Sequence, residues 1–148
     1  MHHHRQAALQ SILTQEHADA CLITNPKNIF YLTGFAGISP YERESIFLTT
    51  KKHGNFLFVP PMYAEHAHNT VDATNITIIS SIPHGLFGTA VTHTACNTIL
   101  CETDNLTYSE YEFLRAKTKA TLIPKKNLVE PLRRKKDAQE IAWLKKAA

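Results

Sequence analysis

The sequence predicts an α/β fold with three layers, in which helices cover both faces of a mixed sheet of about six strands. Short runs of β-branched and apolar residues recur along the chain, and segments of helical period lie between most of them. This alternation favours helices packed on both faces of one sheet. Two of the runs are joined through residues 51–55, too few for a parallel crossover and suited to an antiparallel hairpin. The sheet is therefore expected to be mixed.

The strand assignments follow from β-branched and apolar composition. Each run is four or five residues long, a common length for a strand in a small domain. The six runs cover residues 20–24, 45–49, 56–59, 76–80, 98–101 and 120–123. The second and third of these runs form the predicted hairpin.

Helix signals mark the segments between the strands. Residues 7–17 place apolar side chains on one face and predict a surface helix that leads into the first strand. A short second helix is predicted to begin near Pro26 and to stop at Gly34. Residues 107–118 open with a threonine and a glutamate at capping-box spacing, which predicts a third helix.

The last twelve residues also carry a helix signal. Asp137 and Glu140 have the spacing of a capping box, so a helix is predicted to start there. Its apolar face consists of Ile141, Leu144 and Ala148. A short amphipathic helix is stabilised mainly by packing, and this pattern indicates a packing partner beyond the chain. We therefore expect one domain at residues 1–136, followed at 137–148 by the start of a linker helix into a further domain.

Composition narrows the classes of function. Hydrophobic residues make up 43% and charged residues 20% of the chain, and no apolar run approaches the length of a membrane span, so we expect no membrane partner. The three cysteines have spacings unlike a disulfide framework, which favours a reducing cytoplasm. The histidines after Met1 are set aside as a tag remnant or a native segment.

Positive charge is concentrated at the end of the chain. Residues 115–148 carry eleven of the sixteen Lys and Arg side chains but only three of the thirteen Asp and Glu side chains. Such a segment can attract nucleic acid. No aromatic interleaving or RNA-reading motif accompanies it, so we expect a solvated face and no nucleic-acid partner.

No metal site is predicted within the chain. His66 and His68 lie close together in the sequence, but on a helix they point about 200° apart, so both cannot bind one ion. Their spacing also differs from that of the zincin helix, which needs histidines four residues apart.

No catalytic group is predicted either. Cys96 and Cys101 lie near His93 in sequence, but nothing supplies an orienting partner or an oxyanion hole. Glu42 and Glu44 flank an arginine on the approach to a strand, where solvent exposure is the expected explanation for both. The residues alone indicate an α/β domain without chemistry of its own.

Three segments carry a resemblance to a known family. They read ACLITNPKNIFYLTGFAG at residues 20–37, SIFLTTKKHGNFLFVPPMYAEHA at 45–67 and LVEPLRRKKDAQEIAWLKKAA at 128–148. In this order they resemble the N-terminal domain of the creatinase, prolidase and aminopeptidase P family, the Xaa-Pro peptidases with a C-terminal "pita-bread" catalytic domain. The Y-L-T-G-F segment and the K-D-x-x-E-I junction together are the most specific part of the resemblance.

The resemblance implies a ribonuclease H-like fold and a non-catalytic role. The parent enzymes, of aminopeptidase P or prolidase type, hydrolyse peptide bonds that precede proline. They use two divalent ions, Mn, Co or Zn, bound in the C-terminal domain, so no cofactor is expected in this chain. The implied partners are its own catalytic domain, further copies in a dimer or tetramer, and proline-containing peptides as substrates. An alternative is a peptide- or protein-binding module of a catalytically inactive homologue.

The resemblance also implies substrate-gating residues. The N-terminal domain of the family leans over an active site and restricts it to short peptides. By position, the segment after residues 31–35 reaches towards that site. Tyr31 and Phe35 are then expected to offer apolar walls, and Arg43 to meet a peptide carboxylate through paired hydrogen bonds.

Overall fold

The structure is a computed structural model that describes residues 2–39, 41–93, 95–136 and 138–147. Six strands form one sheet in the order β4-β3-β2-β1-β5-β6. Their bounds are β1 Ala20–Ile23, β2 Ile46–Thr50, β3 Gly54–Phe58, β4 Thr77–Ile79, β5 Thr98–Glu102 and β6 Thr121–Lys125. Strand β2 pairs antiparallel with β1 and β3, and the other pairings are parallel. The predicted mixed sheet and its hairpin are thus confirmed.

Seven helices in the described ranges accompany the sheet. They are α1 His2–Gln15, α2 Pro26–Thr33, α3 Ala64–Thr70, α4 Gly85–Thr92, α5 Tyr108–Lys117, α6 Glu130–Arg134 and α7 Ala138–Ala147. A single 3₁₀ turn, Pro61–Tyr63, precedes α3. None of the helices in the described ranges is long and apolar enough to cross a membrane.

The core consists of two clusters, one on each face of the sheet. In β1 all four residues are buried, and because side chains alternate along a strand, Cys21 and Ile23 face one cluster while Ala20 and Leu22 face the other. The first cluster includes buried side chains of α1, α2 and α3, and the second those of α4 and α5. The predicted three layers are therefore present.

The element bounds differ from the sequence predictions mainly at one helix. Helix α1 begins at His2 and not at residue 7, and it ends at Gln15 and not at residue 17. The N-terminal histidines were set aside in the prediction, yet His2 contacts the carbonyl oxygen of Tyr31 through Nδ1, at 2.9 Å. The six strands differ from their predicted bounds by one or two residues, a normal uncertainty at element ends.

Two helices follow the last strand. Helix α6 was not predicted, although its proline near the N-terminus is favoured in a first helical turn. Helix α7 lies within the helix predicted at the end of the chain. The predicted cap Asp137 and the predicted apolar residue Ala148 lie outside the described residues.

Candidate functional site

The candidate site is built on the end of α2 and the segment that follows it. The Asn25 side chain caps the helix by accepting a hydrogen bond from the N–H of Lys27, at 3.0 Å. Gly34 ends the helix in the left-handed region, with φ of 83°, which glycine adopts without strain. The predicted start and stop of this helix are confirmed. Residues 36–39 and 41–44, which run from the helix to β2, are called the arm below.

Phe35 lies in the core at the base of the arm. Its side chain is 1% exposed, and its ring packs edge-on against Tyr63 at 6.5 Å and beside His66 at 5.3 Å between centroids. In this structure Phe35 therefore supports the arm from inside and offers no open wall to a ligand.

Tyr31 lies at the edge of an open groove of about 820 Å³. Its hydroxyl donates to the carbonyl oxygen of Leu132 at 3.1 Å, and the Arg5 guanidinium lies 4.0 Å from its ring centroid. These contacts hold the half-buried ring between α1 and α6. The groove is also lined by the exposed rings of Phe30 and Trp143, so an apolar wall is present on this side of α2.

Arg43 fastens the arm to the first turn of α5. Its Nε and Nη2 donate to the two carboxylate oxygens of Glu110 at 2.9 and 2.7 Å. Its Nη1 donates to the carbonyl oxygen of Thr24 at 2.6 Å, and its remaining bonds go to Asn105. The Arg43 side chain is 18% exposed, and its guanidinium uses its donors within the chain. In this conformation Arg43 acts as an internal clamp.

The clamp also shifts the titration of Glu110. Burial raises the pKa of this carboxyl, but hydrogen bonds from Arg43 and from the backbone N–H of Thr107 outweigh burial and lower it. The same carboxylate completes the predicted capping box of α5, which is confirmed. One side chain thus links the arm to the start of a helix.

Glu44 was predicted to lie in solvent, and this is wrong. Its side chain is 5% exposed, whereas its neighbour Glu42 is exposed as expected. The carboxylate accepts hydrogen bonds from the backbone N–H groups of Ile38 and Ser39, at 2.6 and 2.8 Å, and from the Tyr63 hydroxyl at 2.6 Å. No local pattern marks this role, because the partners lie five to nineteen residues away.

A second buried carboxylate ties α6 to the sheet. Glu102, at the end of β5, accepts hydrogen bonds from two backbone N–H groups just before α2, at 2.9 and 2.8 Å, and from the Asn28 amide. That amide also donates to Glu130 of α6 at 2.8 Å. Burial raises the pKa of Glu102, although the hydrogen bonds to it act in the opposite direction. The network fixes the position of α6 against the sheet.

Across the described ranges, no group of three or more His, Cys, Asp or Glu side chains is placed to hold an ion. His66 lies on α3 and contacts the Ala36 carbonyl oxygen at 3.0 Å, so it belongs to the support of the arm. Cys21 and Cys101 are buried free thiols, and burial raises the pKa of both.

Comparisons with known proteins identify the family. A family model described as the Creatinase/Prolidase N-terminal domain matches residues 5–135. An uncharacterized peptidase of Staphylococcus aureus (strain USA300) is 28% identical over 139 residues, which cover 92% of this chain and 38% of that protein. The chain thus spans well under half the length of this relative.

Solved structures show the same fold. The Xaa-Pro dipeptidase from Bacillus anthracis superposes with a TM-score of 0.82 at 23% identity, covering 96% of this chain and 38% of that one. The aminopeptidase P, an Xaa-Pro aminopeptidase, from Streptococcus thermophilus superposes with a TM-score of 0.74 at 26% identity. Here the match covers 89% of this chain and 98% of the solved chain, so a chain of this size has been solved by itself. The match of the family model over residues 5–135 places this chain in the creatinase/prolidase N-terminal domain family.

Proposed function

We propose that this chain is the non-catalytic N-terminal domain of a Xaa-Pro metallopeptidase of aminopeptidase P or prolidase type. The observation that carries the proposal is the family match over residues 5–135, combined with peptidase relatives that extend far beyond it. The longer protein, called the full-length protein below, would hydrolyse peptide bonds that precede proline.

The metal chemistry is assigned to the rest of the full-length protein. The side chains described in this chain do not fit a two-metal site, since they contain no group of three or more suitable ligands. Two divalent ions, Mn, Co or Zn, bound in the catalytic domain would activate water and polarise the scissile carbonyl.

The role proposed for this chain is to limit access of substrates. Tyr31 would offer an apolar wall at the edge of the groove, in keeping with its position there. Phe35 and Arg43 would act through the arm, the first by packing under it and the second by clamping it to α5. The direct contact of Arg43 with a peptide carboxylate stays a prediction, and it requires part of the clamp to open.

The proposed partners are the chain's own catalytic domain and further copies of the full-length protein. Helix α7 supports the first, because Ile141, Trp143 and Leu144 are 42%, 53% and 58% exposed in this chain. Such an apolar face is expected to pack on another domain. We assign the protein to the cytoplasm, which is consistent with the buried free thiols of Cys21 and Cys101.

Removal of the domain tests the access role. The full-length protein and a form that lacks residues 1–136 are compared on Xaa-Pro peptides of three to ten residues. The truncated form is expected to bind Mn²⁺ and to lose the preference for short peptides. An unchanged preference in a truncated protein that binds Mn²⁺ contradicts the role. If truncation abolishes Mn²⁺ binding, the same series of peptide lengths is measured on an arm variant of the full-length protein, Arg43→Ala. An unchanged preference for short peptides in that variant then contradicts the access role.

The alternative function gives a different result in the same assay. A binding module of an inactive homologue would hold proline-containing peptides without cleaving them, measurable by calorimetry beside the activity assay. Light scattering of the full-length protein tests the proposed oligomer, and a monomer at all concentrations contradicts it. Nucleic-acid binding would appear as an affinity that falls steeply with salt. We expect no such binding.

A further inference from the structure

The buried carboxylate of Glu44 has an unusual set of partners. No lysine or arginine of the described chain forms an ion pair with it. Its charge is instead met by two consecutive backbone N–H groups of the arm, at Ile38 and Ser39, and by the Tyr63 hydroxyl. Consecutive N–H groups that converge on an anion form a backbone nest, and hydrogen bonds to a charged acceptor are stronger than neutral ones. The nest therefore fixes the conformation of the arm.

The arm fits the carboxylate closely. A Cβ atom added at Gly37 would overlap Glu44 Oε2, so glycine at this position lets the carboxylate stay where it is. The hydrogen bond with Glu44 raises the pKa of the Tyr63 phenol, and burial and the nearby charge raise it further. Tyr63 ends the 3₁₀ turn that precedes α3, so its hydrogen bond to Glu44 ties the arm to this turn. The close approach at Gly37 and the hydrogen bonds thus both hold the arm against Glu44.

The neighbouring side chains of Arg43 and Glu44 hold the arm through different contacts. Arg43 reaches Glu110 on α5, and Glu44 reaches back into the arm itself. Between these anchors the arm exposes its apolar side chains, with Ile38 79% and Tyr41 95% exposed. The arm thus buries few apolar side chains of its own, and polar contacts at its base decide where these two side chains lie.

We propose that Glu44 is a positioning residue, which fixes the arm so that Ile38 and Tyr41 present an apolar surface to a short proline-containing peptide. This inference rests on the proposed function of the full-length protein. A buried carboxylate is costly to desolvate, and here that cost is offset by the three hydrogen bonds that hold the arm and Tyr63 against it. The role of the Glu44 carboxylate is therefore to select this one conformation of the arm.

The first test measures the arm in the isolated chain. Glu44→Ala removes the acceptor, so amide hydrogen exchange at Ile38 and Ser39 should accelerate by about tenfold to a hundredfold, the range expected for losing a charge-assisted hydrogen bond. Glu44→Gln keeps one oxygen acceptor, so its exchange rates should lie between those of the wild type and those of Glu44→Ala. Glu42→Ala is the matched control, since it removes the same charge from an exposed neighbour. Unchanged exchange in Glu44→Ala overturns the proposal.

The second test separates positioning from plain stability in the full-length protein. Glu44→Ala should raise KM for a proline-containing tripeptide by about tenfold while kcat stays within about twofold, because the reacting groups lie in another domain. Glu112→Ala, on α5 and outside the arm, should leave both constants unchanged. If Glu44→Ala does not fold, Tyr63→Phe removes one of the three bonds and should raise KM by about two- to fourfold. Faster exchange with an unchanged KM overturns the positioning role.

The two tests also separate this inference from the proposed function. A full-length protein that binds metal but cleaves no Xaa-Pro peptide refutes the proposed function and the substrate part of this inference together. The exchange measurement does not depend on activity, and it still decides whether Glu44 fixes the arm.

Discussion

Replacement of Arg43 by alanine is expected to release the arm from α5 and to destabilise the domain. The side chain makes a two-point contact with Glu110 and donates to Thr24 and Asn105, and both charged partners are about one-fifth exposed. The variant leaves the carboxylate of Glu110 without its cation and the Thr24 carbonyl oxygen without this donor.

The burial of the Arg43–Glu110 ion pair sets the size of the expected loss in unfolding free energy. Breaking a fully buried ion pair costs about 3–5 kcal/mol, and exposed pairs contribute about 0–1 kcal/mol. At an exposure of 18% and 21% the pair lies between these limits, and we expect a loss of about 2–3 kcal/mol for Arg43→Ala. For a chain of 148 residues this corresponds to a fall in Tm of roughly 6–10 °C. Arg43→Lys keeps the charge without the two-point geometry and should lose about half as much.

Urea unfolding followed by circular dichroism measures this loss. The pKa of Glu110 is lowered in the fold, so its contribution to stability is present above its unfolded pKa and is lost as the pH falls through the folded pKa. The difference between wild type and Arg43→Ala should therefore be large at pH 7 and shrink at about pH 3. A loss below about 0.5 kcal/mol at pH 7, or a loss that does not depend on pH, would show that Arg43 does not clamp the arm to Glu110.

Two further variants test the core under the site. Phe35→Ala should destabilise the domain by about 3–5 kcal/mol, because it empties a fully buried position. Phe30→Ala is the matched control, because this ring is 52% exposed. Its loss in stability should be well under half of that for Phe35→Ala. The raised pKa of Glu102 means that the folded chain holds a proton there more tightly than the unfolded chain, so this residue's contribution to stability falls as the pH rises through the folded pKa. Urea unfolding should accordingly show Glu102→Gln gaining on the wild type as the pH rises above about 4, and parallel profiles would contradict the assignment.

Local signals explain why much of the fold was predictable from the sequence. The six strands follow from composition, and α2 follows from a cap, a proline and a glycine that all lie within the helix or next to it. Helix α6 was missed because it is only five residues long and its position depends on contacts with Asn28.

The support of the arm was not predictable in the same way. Arg43 and Glu44 have the appearance of surface charges in sequence, and their partners lie as far as 67 residues away. Charged residues are usually exposed, so burial of either one depends on tertiary contacts that no local pattern reveals. The positions of Tyr31 at the groove and of Phe35 in the core likewise became clear only from the packing of α1, α3 and α6.

We propose that this chain shapes access to a proline-specific active site without performing chemistry itself. The most direct measurement is the turnover of an Xaa-Pro tripeptide by the isolated chain and by the full-length protein, each with Mn²⁺ and with a chelator. We predict no turnover by the isolated chain under either condition and metal-dependent turnover by the full-length protein. Metal-dependent cleavage by the isolated chain, or cleavage by neither protein, would contradict the claim.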